Sequence, residues 1–328
     1  MRLVRALSAF SPFLTISWDL PRCRPGGLPA GRFRADGLSS PGTRAYRWAM
    51  AGMTVLARPR GLRQGDHVCW AYDPERGFGV VAAQFLAEGV ALGERVLFVG
   101  EGDTAQLVGE LASLPGRDAL LASGQLQVQS MSDVYLGNGG LDPVAQTELF
   151  AAAGAAALED GYTGLRVAGD LTGLVRDASR WEDVRAYEIV VDSVIAAHPL
   201  TGMCGYAAPT VPGERLRPLA ALHGIRHVDG DGDTLTFVAR VRGGVLVLAG
   251  EVDTGCADDL DEVLVGVGRL AEGPVTVDLA GLDFVDVGAT RALVRFATGL
   301  RASGRPVRFV GVGRGARRVL ELFDVELA

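Results

Sequence analysis

The sequence contains few cysteines and no long apolar run. Its four cysteines, Cys23, Cys69, Cys204 and Cys256, are scattered over 328 residues and form no CxxC pair. This spacing excludes a disulfide framework and a cysteine-based metal knuckle, and it suits a reducing compartment. No apolar stretch approaches the roughly 18 residues that a membrane-spanning helix needs. We therefore expect a cytoplasmic protein that does not act at a membrane.

Positive charge is concentrated at the amino-terminal end. Residues 1–52 contain eight Arg and two Asp and so carry a net charge of +6. Because the whole chain has a net charge of −7, the remaining residues carry −13. That acidic body argues against nucleic acid as a main partner. The first residues are basic and then apolar, as in a secretory signal, but Pro12 and several serines interrupt the apolar centre. The Pro, Gly and Arg content predicts that residues 1–55 are a disordered basic extension or follow a misannotated start.

Enzyme motifs are missing. The loop after the apolar run 96–100 has no GK[ST] with which to bind ATP, and neither G-x-S-x-G nor H-E-x-x-H occurs. The sequence therefore predicts a protein that is not an enzyme and that uses no cofactor.

Only two spacings are typical of metal ligands: His67-x-Cys69, and His223 with His227. A structural zinc site needs four ligands in two close pairs, and Gly224 within the second pair argues against a shared helix face. A buried cysteine and hydrogen-bonded histidines are the favoured interpretation and a bound metal is the alternative, so we predict no metal site.

Strands and helices alternate from Leu62 onward. Short apolar runs at 96–100, 126–130 and 165–171 are typical of buried parallel strands, and helical patterns lie between them. Asp and Gly residues within 227–237 then mark a joint. A smaller alternation of strands and helices follows over about 95 residues. We predict an α/β protein with a larger parallel-sheet domain followed by a smaller α/β domain.

Two acids are candidates for a site in the larger domain. Glu188 lies beside a stripe of apolar residues on its helix, where an unpaired charge is costly. It is either a paired structural acid or a pocket acid that faces a ligand. Asp170 lies at the carboxyl end of the strand 165–171, where ligands of such sheets bind.

Residues 60–228 resemble the MEDS domain, a bacterial sensory module. The resemblance is carried by GDHVCWAYDPERG, FLAEGVALGERVLFVGE, ASGQLQVQS, EDGYTGLRVAGDLTGL and HPLTGMCGY, in the expected order. It implies a RecA-like sheet without ATP machinery and a role in sensing small hydrocarbon derivatives. By position it implies ligand-binding roles for His67, Cys69, Tyr72, Asp170, Glu188 and Cys204.

Residues 229–328 resemble a STAS domain, the fold of anti-sigma factor antagonists. The resemblance is carried by AGEVDT, TVDLAGLDFVD, the following helix and RFVGVGRGARRVLELF. It implies that an anti-sigma factor or GHKL-type kinase docks where a strand ends at Asp286. The implied partner-binding residues are Asp253, Asp286, Val287, Gly288 and Thr290.

The phosphoacceptor position of that resemblance holds no hydroxyl. Val287 stands where the family has serine, and Gly288 follows it. Thr290 is the nearest hydroxyl, but it lies inside the helix and is a poor candidate acceptor. Asp286 is either a helix N-cap or a docking residue.

The sequence thus predicts a cytoplasmic signalling regulator. Its first half senses a small molecule, and its second half acts as an anti-sigma factor antagonist that lacks the usual phosphoacceptor. One alternative is a scaffold that acts only through the STAS surface. The other is a small-molecule enzyme that uses Cys69 or the Asp170 and Glu188 carboxylates.

Overall fold

The computed structural model describes residues 53–136, 140–227, 235–323 and 327. The predicted amino-terminal extension lies outside the described residues except for 53–55. Most of the predicted joint at 227–237 also lies outside them.

The larger sheet has seven strands, all parallel to their neighbours. They are β1 (Thr54–Val55), β2 (His67–Tyr72), β3 (Arg95–Gly100), β4 (Leu126–Ser130), β5 (Leu165–Asp170), β6 (Leu200–Ala207) and β7 (Ile225–His227). Their spatial order is β1-β7-β2-β6-β5-β3-β4, which places β2 and β6 side by side near the centre. Both are buried along their whole length, as expected of strands covered on two faces.

Eight helices accompany this sheet among the described residues. They are α1 (Phe78–Ala91), α2 (Thr104–Glu110), α3 (Arg117–Ser123), α4 (Met131–Tyr135), α5 (Pro143–Glu159), α6 (Thr172–Arg176), α7 (Trp181–Ala197) and α8 (Gly213–Ala221). Apolar side chains of α1 and α2 pack on one face of the sheet against Val68 of β2 and Val96 and Phe98 of β3. Helices α5 and α7 cover the other face.

The smaller sheet has four strands in the order β11-β10-β9-β8. These are β8 (Phe237–Arg242), β9 (Val245–Val252), β10 (Val275–Val285) and β11 (Val307–Val310). Strand β8 is antiparallel to β9, whereas β9, β10 and β11 are parallel. The accompanying helices are α9 (Ala257–Leu270), α10 (Val287–Ala302) and α11 (Arg314–Glu321). The predicted fold class, a parallel-sheet α/β region followed by a smaller α/β region, is confirmed.

One hydrophobic core continues from the first half into the second. It includes Tyr187 and Ile189 of α7 as well as Leu264 and Val267 of α9. The two helices approach closely at Gly266, where an added Cβ would lie 2.7 Å from Ile189 Cδ1. Helix α7 is therefore packed between the larger sheet and the smaller half.

Within the described part of the chain, no helix is both long enough and apolar enough to cross a bilayer.

Candidate functional site

Four polar side chains meet beneath the larger sheet, and we call them the buried quartet: His67, Glu188, Cys204 and His223. His67 begins β2, Cys204 lies in the neighbouring strand β6, Glu188 lies on α7, and His223 follows α8. Cys204 is 7% exposed and the other three residues are 1% exposed or less. Such a group is costly to bury unless its polar atoms are paired.

The quartet is organised around one oxygen atom of Glu188. Its Oε2 lies 3.4 Å from Nε2 of His67, 3.4 Å from Nε2 of His223 and 3.8 Å from Sγ of Cys204. His67 Nε2 is also 3.3 Å from Cys204 Sγ. The other carboxylate oxygen, Oε1, accepts a hydrogen bond of 2.5 Å from the Tyr206 hydroxyl. One oxygen is thus fixed by Tyr206 and the other faces the three remaining members.

Burial changes the protonation of the quartet. It raises the pKa of Glu188, and the contacts with His67, Tyr206 and Cys204 offset only part of that effect. Burial also raises the pKa of the Cys204 thiol well above its usual value, and the nearby Glu188 carboxylate adds to the shift. The pKa of His223 falls well below its usual value because the ring is buried and lies beside His67. Each shift favours the uncharged form of its own side chain.

The outer nitrogen of each histidine faces a fixed acceptor. His223 Nδ1 lies 2.7 Å from the carbonyl oxygen of Leu219. His67 Nδ1 lies 3.5 Å from Oδ1 of Asp192, which follows Glu188 by one helical turn on α7, but the contact is too poorly aligned to be a hydrogen bond. These contacts orient both Nε2 atoms toward the centre of the quartet. His223 Nε2 is buried there without a hydrogen-bond partner among the described residues.

Asp192 connects the quartet to the smaller half. Its carboxylate pairs with Arg240 at 2.9 Å and also with Arg242, both on β8. Burial would raise the pKa of Asp192, but its contacts with His67, Arg240 and Arg242 outweigh that effect and lower the pKa. The next residue, Ser193, donates a hydrogen bond of 2.7 Å to the carbonyl oxygen of Val241. Helix α7 thus contacts the quartet and strand β8 within two adjacent residues.

A surface pocket lies on the opposite face of the larger sheet. Its volume is about 720 Å³, and Trp70, Tyr72 and three arginines, Arg58, Arg60 and Arg76, contribute to its lining. The Trp70 ring stacks on His227, with ring centroids 3.9 Å apart. The volume falls in the range typical of small-molecule sites, and the pocket opens beside the carboxyl end of β2, where ligands of parallel sheets bind.

The six residues implied as ligand-binding fall into two groups. His67, Cys69 and Cys204 lie on the quartet face, with Cys69 next to Cys204 in strand register. Glu188 joins them from α7. Tyr72 and Asp170 lie apart from this group, at the carboxyl ends of β2 and β5. There the Tyr72 hydroxyl donates a 2.7 Å hydrogen bond to Asp170 Oδ2. The structure therefore does not assemble the six residues into one site.

The two metal-like spacings in the sequence do not supply the quartet. In the first spacing, His67 contacts Cys204, and Cys69 is not part of the quartet. In the second, His223 contacts Glu188, whereas His227 stacks on Trp70. The sequence singled out each of the four residues but not their grouping, because they come from four separate segments of the chain. The four ligating atoms lie within 4.8 Å of one another and could hold a metal ion.

In the smaller half, Asp286 is the N-cap of α10. Its Oδ1 accepts a 2.8 Å hydrogen bond from the Ala289 N–H, and its Oδ2 accepts one of 2.5 Å from the Thr254 hydroxyl. Burial opposes a low pKa, but these hydrogen bonds outweigh it and lower the pKa of Asp286. Asp253 lies beside Thr254 and caps its own turn through the Gly255 N–H. A side chain at Gly288 would crowd this cap, since its Cβ would lie 3.2 Å from Asp286 Oδ1.

The residues around this cap differ in exposure. Val287 is 51% exposed, and so is Phe284, a residue that the sequence did not single out. Thr290 is fully buried and donates a 2.7 Å hydrogen bond to the carbonyl oxygen of Asp286. Its side chain is therefore not part of the surface, contrary to its prediction as a partner-binding residue. We call Asp253, Phe284, Asp286, Val287 and Gly288 the docking surface.

Comparisons with protein families match the two halves separately. Residues 66–224 match the family described as MEDS, the methanogen/methylotroph, DcmR sensory domain. Residues 235–326 match the family described as Mlab, STAS domain. A comparison with curated proteins gives no match.

Proposed function

Because this chain is a fusion of a MEDS sensory domain and a STAS domain, we propose that it is a signalling regulator controlled by a small molecule. The MEDS half binds the small molecule, and the STAS half binds an anti-sigma factor or a GHKL-type kinase. The observation that carries the proposal is the Asp192 carboxylate, which contacts His67 in the first half and two arginines in the second.

The surface pocket is the best place for the small molecule. At about 720 Å³ it accommodates a ligand, whereas the cavity that Cys204 helps to line is only about 20 Å³ and fits little more than a water molecule. Trp70 and Tyr72 offer apolar ring surface, and the three arginines favour a ligand that carries an anionic group. The pocket and the quartet share strand β2, which presents Trp70 and Tyr72 on one face and His67 on the other.

A continuous set of contacts runs from that strand to the docking surface. From His67 it passes through Asp192 to Arg240 and Arg242 of β8. Strand β8 pairs along its length with β9, and β9 ends at Val252, whose carbonyl oxygen accepts a 3.1 Å hydrogen bond from the Asp286 N–H. A change in β2 that moves His67 therefore has a physical route to the helix end where the partner docks.

The docking surface suits a protein partner. Two large apolar side chains, Phe284 and Val287, are half exposed on either side of the Asp286 cap. Exposed apolar residues beside a polar rim are typical of protein interfaces. Since Val287 cannot accept a phosphate, we infer that the sensory half controls partner binding in place of phosphorylation.

Affinity capture with surface variants tests the proposal. We expect wild-type protein to recover a GHKL-type kinase or anti-sigma factor from native cells, identified by mass spectrometry. Val287→Glu should lower the recovery at least 10-fold, because a buried charge opposite the partner costs more than 1.4 kcal/mol.

Val265→Glu is the matched control, since Val265 is 47% exposed on α9 and lies outside the docking surface. It should leave recovery unchanged. Equal loss with both variants, or no kinase-like protein with any of them, would argue against the proposed function.

A further inference from the structure

We propose that the buried quartet binds a single Zn²⁺ ion through His67 Nε2, Glu188 Oε2, Cys204 Sγ and His223 Nε2. These four groups are the ligand types that zinc prefers in proteins. The thiolate and the two imidazoles argue against Mg²⁺ and Ca²⁺, which take oxygen ligands.

The spacing of the ligand atoms fits a tetrahedral ion. Zinc bonds of about 2.0–2.3 Å at tetrahedral angles place ligand atoms about 3.3–3.6 Å apart. Four of the six separations in the quartet are 3.3, 3.4, 3.4 and 3.8 Å, and all six are within 4.8 Å. The ligand atoms therefore already surround a common centre, and binding an ion would draw the more distant ones inward.

The surroundings hold the ligands as they are held in metal sites. A metal-binding histidine usually directs its other nitrogen at a carboxylate or a backbone carbonyl, which fixes the ring. His67 directs Nδ1 at Asp192, and His223 directs Nδ1 at the Leu219 carbonyl oxygen. Tyr206 fixes Glu188 through Oε1 and leaves Oε2 for the ion.

The buried Nε2 of His223 gives a second, independent reason. It has no hydrogen-bond partner among the described residues, although it points at three other ligand atoms. The nitrogen lies 3.4 Å from Glu188 Oε2, and coordination of an ion between the two would satisfy the buried lone pair. Binding expels the Cys204 thiol proton and the proton of any protonated Glu188, so that sulfur and oxygen coordinate as thiolate and carboxylate and the protons pass to solvent.

All four ligands come from the protein, so the ion has no open position for substrate. Such closed sites are structural and stabilise the fold. Here the ion would fix β2, β6, α7 and the end of α8 to one another. Because His67 is one of its ligands, it would also fix the residue that contacts Asp192. Zinc binding does not depend on the identity of the small molecule or of the partner.

The test uses full-length protein purified without a metal-affinity tag. Elemental analysis should find one zinc per chain. Protein unfolded with a chelator and refolded with Co²⁺ should show the visible absorption of tetrahedral cobalt and the near-ultraviolet band of a cobalt–thiolate bond. Wild-type protein that retains no zinc and refolds without either band would overturn the proposal.

Variants assign the ligands. Cys204→Ser should remove the thiolate band, and His223→Gln should weaken cobalt binding. The matched controls are Cys69→Ser and His227→Gln, which alter the same residue types outside the quartet and should keep both bands. Loss of the thiolate band in Cys69→Ser but not in Cys204→Ser would contradict the assignment. If Cys204→Ser does not fold, the zinc content and cobalt spectrum of the wild type and of the two control variants still decide.

Discussion

Asp192 is the residue on which the link between the two halves depends. It is 1% exposed, and its carboxylate meets a buried histidine on one side and two arginines on the other. The arginine head groups keep about a third of their exposure, so they can turn to solvent if the carboxylate is removed. The two ion pairs of Asp192 therefore link β8 to α7, and they require the burial of one carboxylate.

We expect Asp192→Asn to lower the free energy of unfolding by roughly 2–3 kcal/mol, because the neutral amide loses charge-assisted hydrogen bonds to two arginines and hydration of the arginines recovers only part of that loss. Denaturant unfolding followed by circular dichroism measures the change.

The matched control is Asp160→Asn. Asp160 forms an equally short pair with Arg95, at 2.6 Å, but its side chain is 61% exposed. The Arg95 side chain is only 10% exposed, but water reaches the Asp160 end of the pair and an amide oxygen can still accept from Arg95, so this variant should lose about 1 kcal/mol or less. Equal effects of the two variants would show that burial of Asp192 contributes nothing.

At the same scale, the sequence predicted some site residues and missed others for a clear reason. Glu188 was singled out from its position on a helix face, whereas Asp286 was singled out through the resemblance to STAS domains. Asp192 was missed, although it follows Glu188 by one helical turn, because its partners are 48 and 50 residues away in sequence. Contacts between distant segments leave no local pattern.

At the scale of elements, the strands that carry the quartet were not predicted. The apolar runs that became β3, β4 and β5 were recognised, but β2 (HVCWAY) and β6 (LTGMCGYA) mix polar and small residues with apolar ones. His67 and Cys204 of these strands belong to the quartet, and Trp70 and Tyr72 belong to the pocket lining. The mixture of polar, small and apolar residues hides the continuous apolar run by which a buried strand is recognised.

Helix α7 packs against the larger sheet on one side and against α9 on the other. On the second side, its Ile189 and Arg185 side chains lie close to Gly266 of α9. A Cβ at this position would lie 2.7 Å from Ile189 Cδ1 and 3.0 Å from Arg185 Nε. We expect Gly266→Ala to destabilise the protein by about 1–2 kcal/mol, because the buried Ile189 side chain and Arg185 would have to move to admit the methyl group. Thermal and denaturant unfolding measure the effect.

Gly299→Ala provides the opposite expectation. Gly299 also lies within a helix, α10, but an added Cβ there has nothing within 4 Å. Alanine should stabilise that helix by about 0.5–1 kcal/mol through its higher propensity. Stabilisation by both substitutions would mean that α7 and α9 do not need their close approach.

At the scale of the whole molecule, three features lie along one connected route. The surface pocket lies on one face of β2, the quartet on the other, and the docking surface at the far end of β9 and β10. The core is continuous between the halves, so a displacement of α7 cannot be absorbed by a loose linker. This arrangement is what a sensor needs if a ligand at one end is to alter partner binding at the other.

We infer that α7 transmits a change in the sensory half to the docking surface. Hydrogen–deuterium exchange of wild type, Asp192→Asn and Asp160→Asn tests this inference. We expect faster exchange in Asp192→Asn both along β8 and at the amides of 284–290, with neither change in Asp160→Asn. Faster exchange confined to α7 and β8, with 284–290 unchanged, would contradict it.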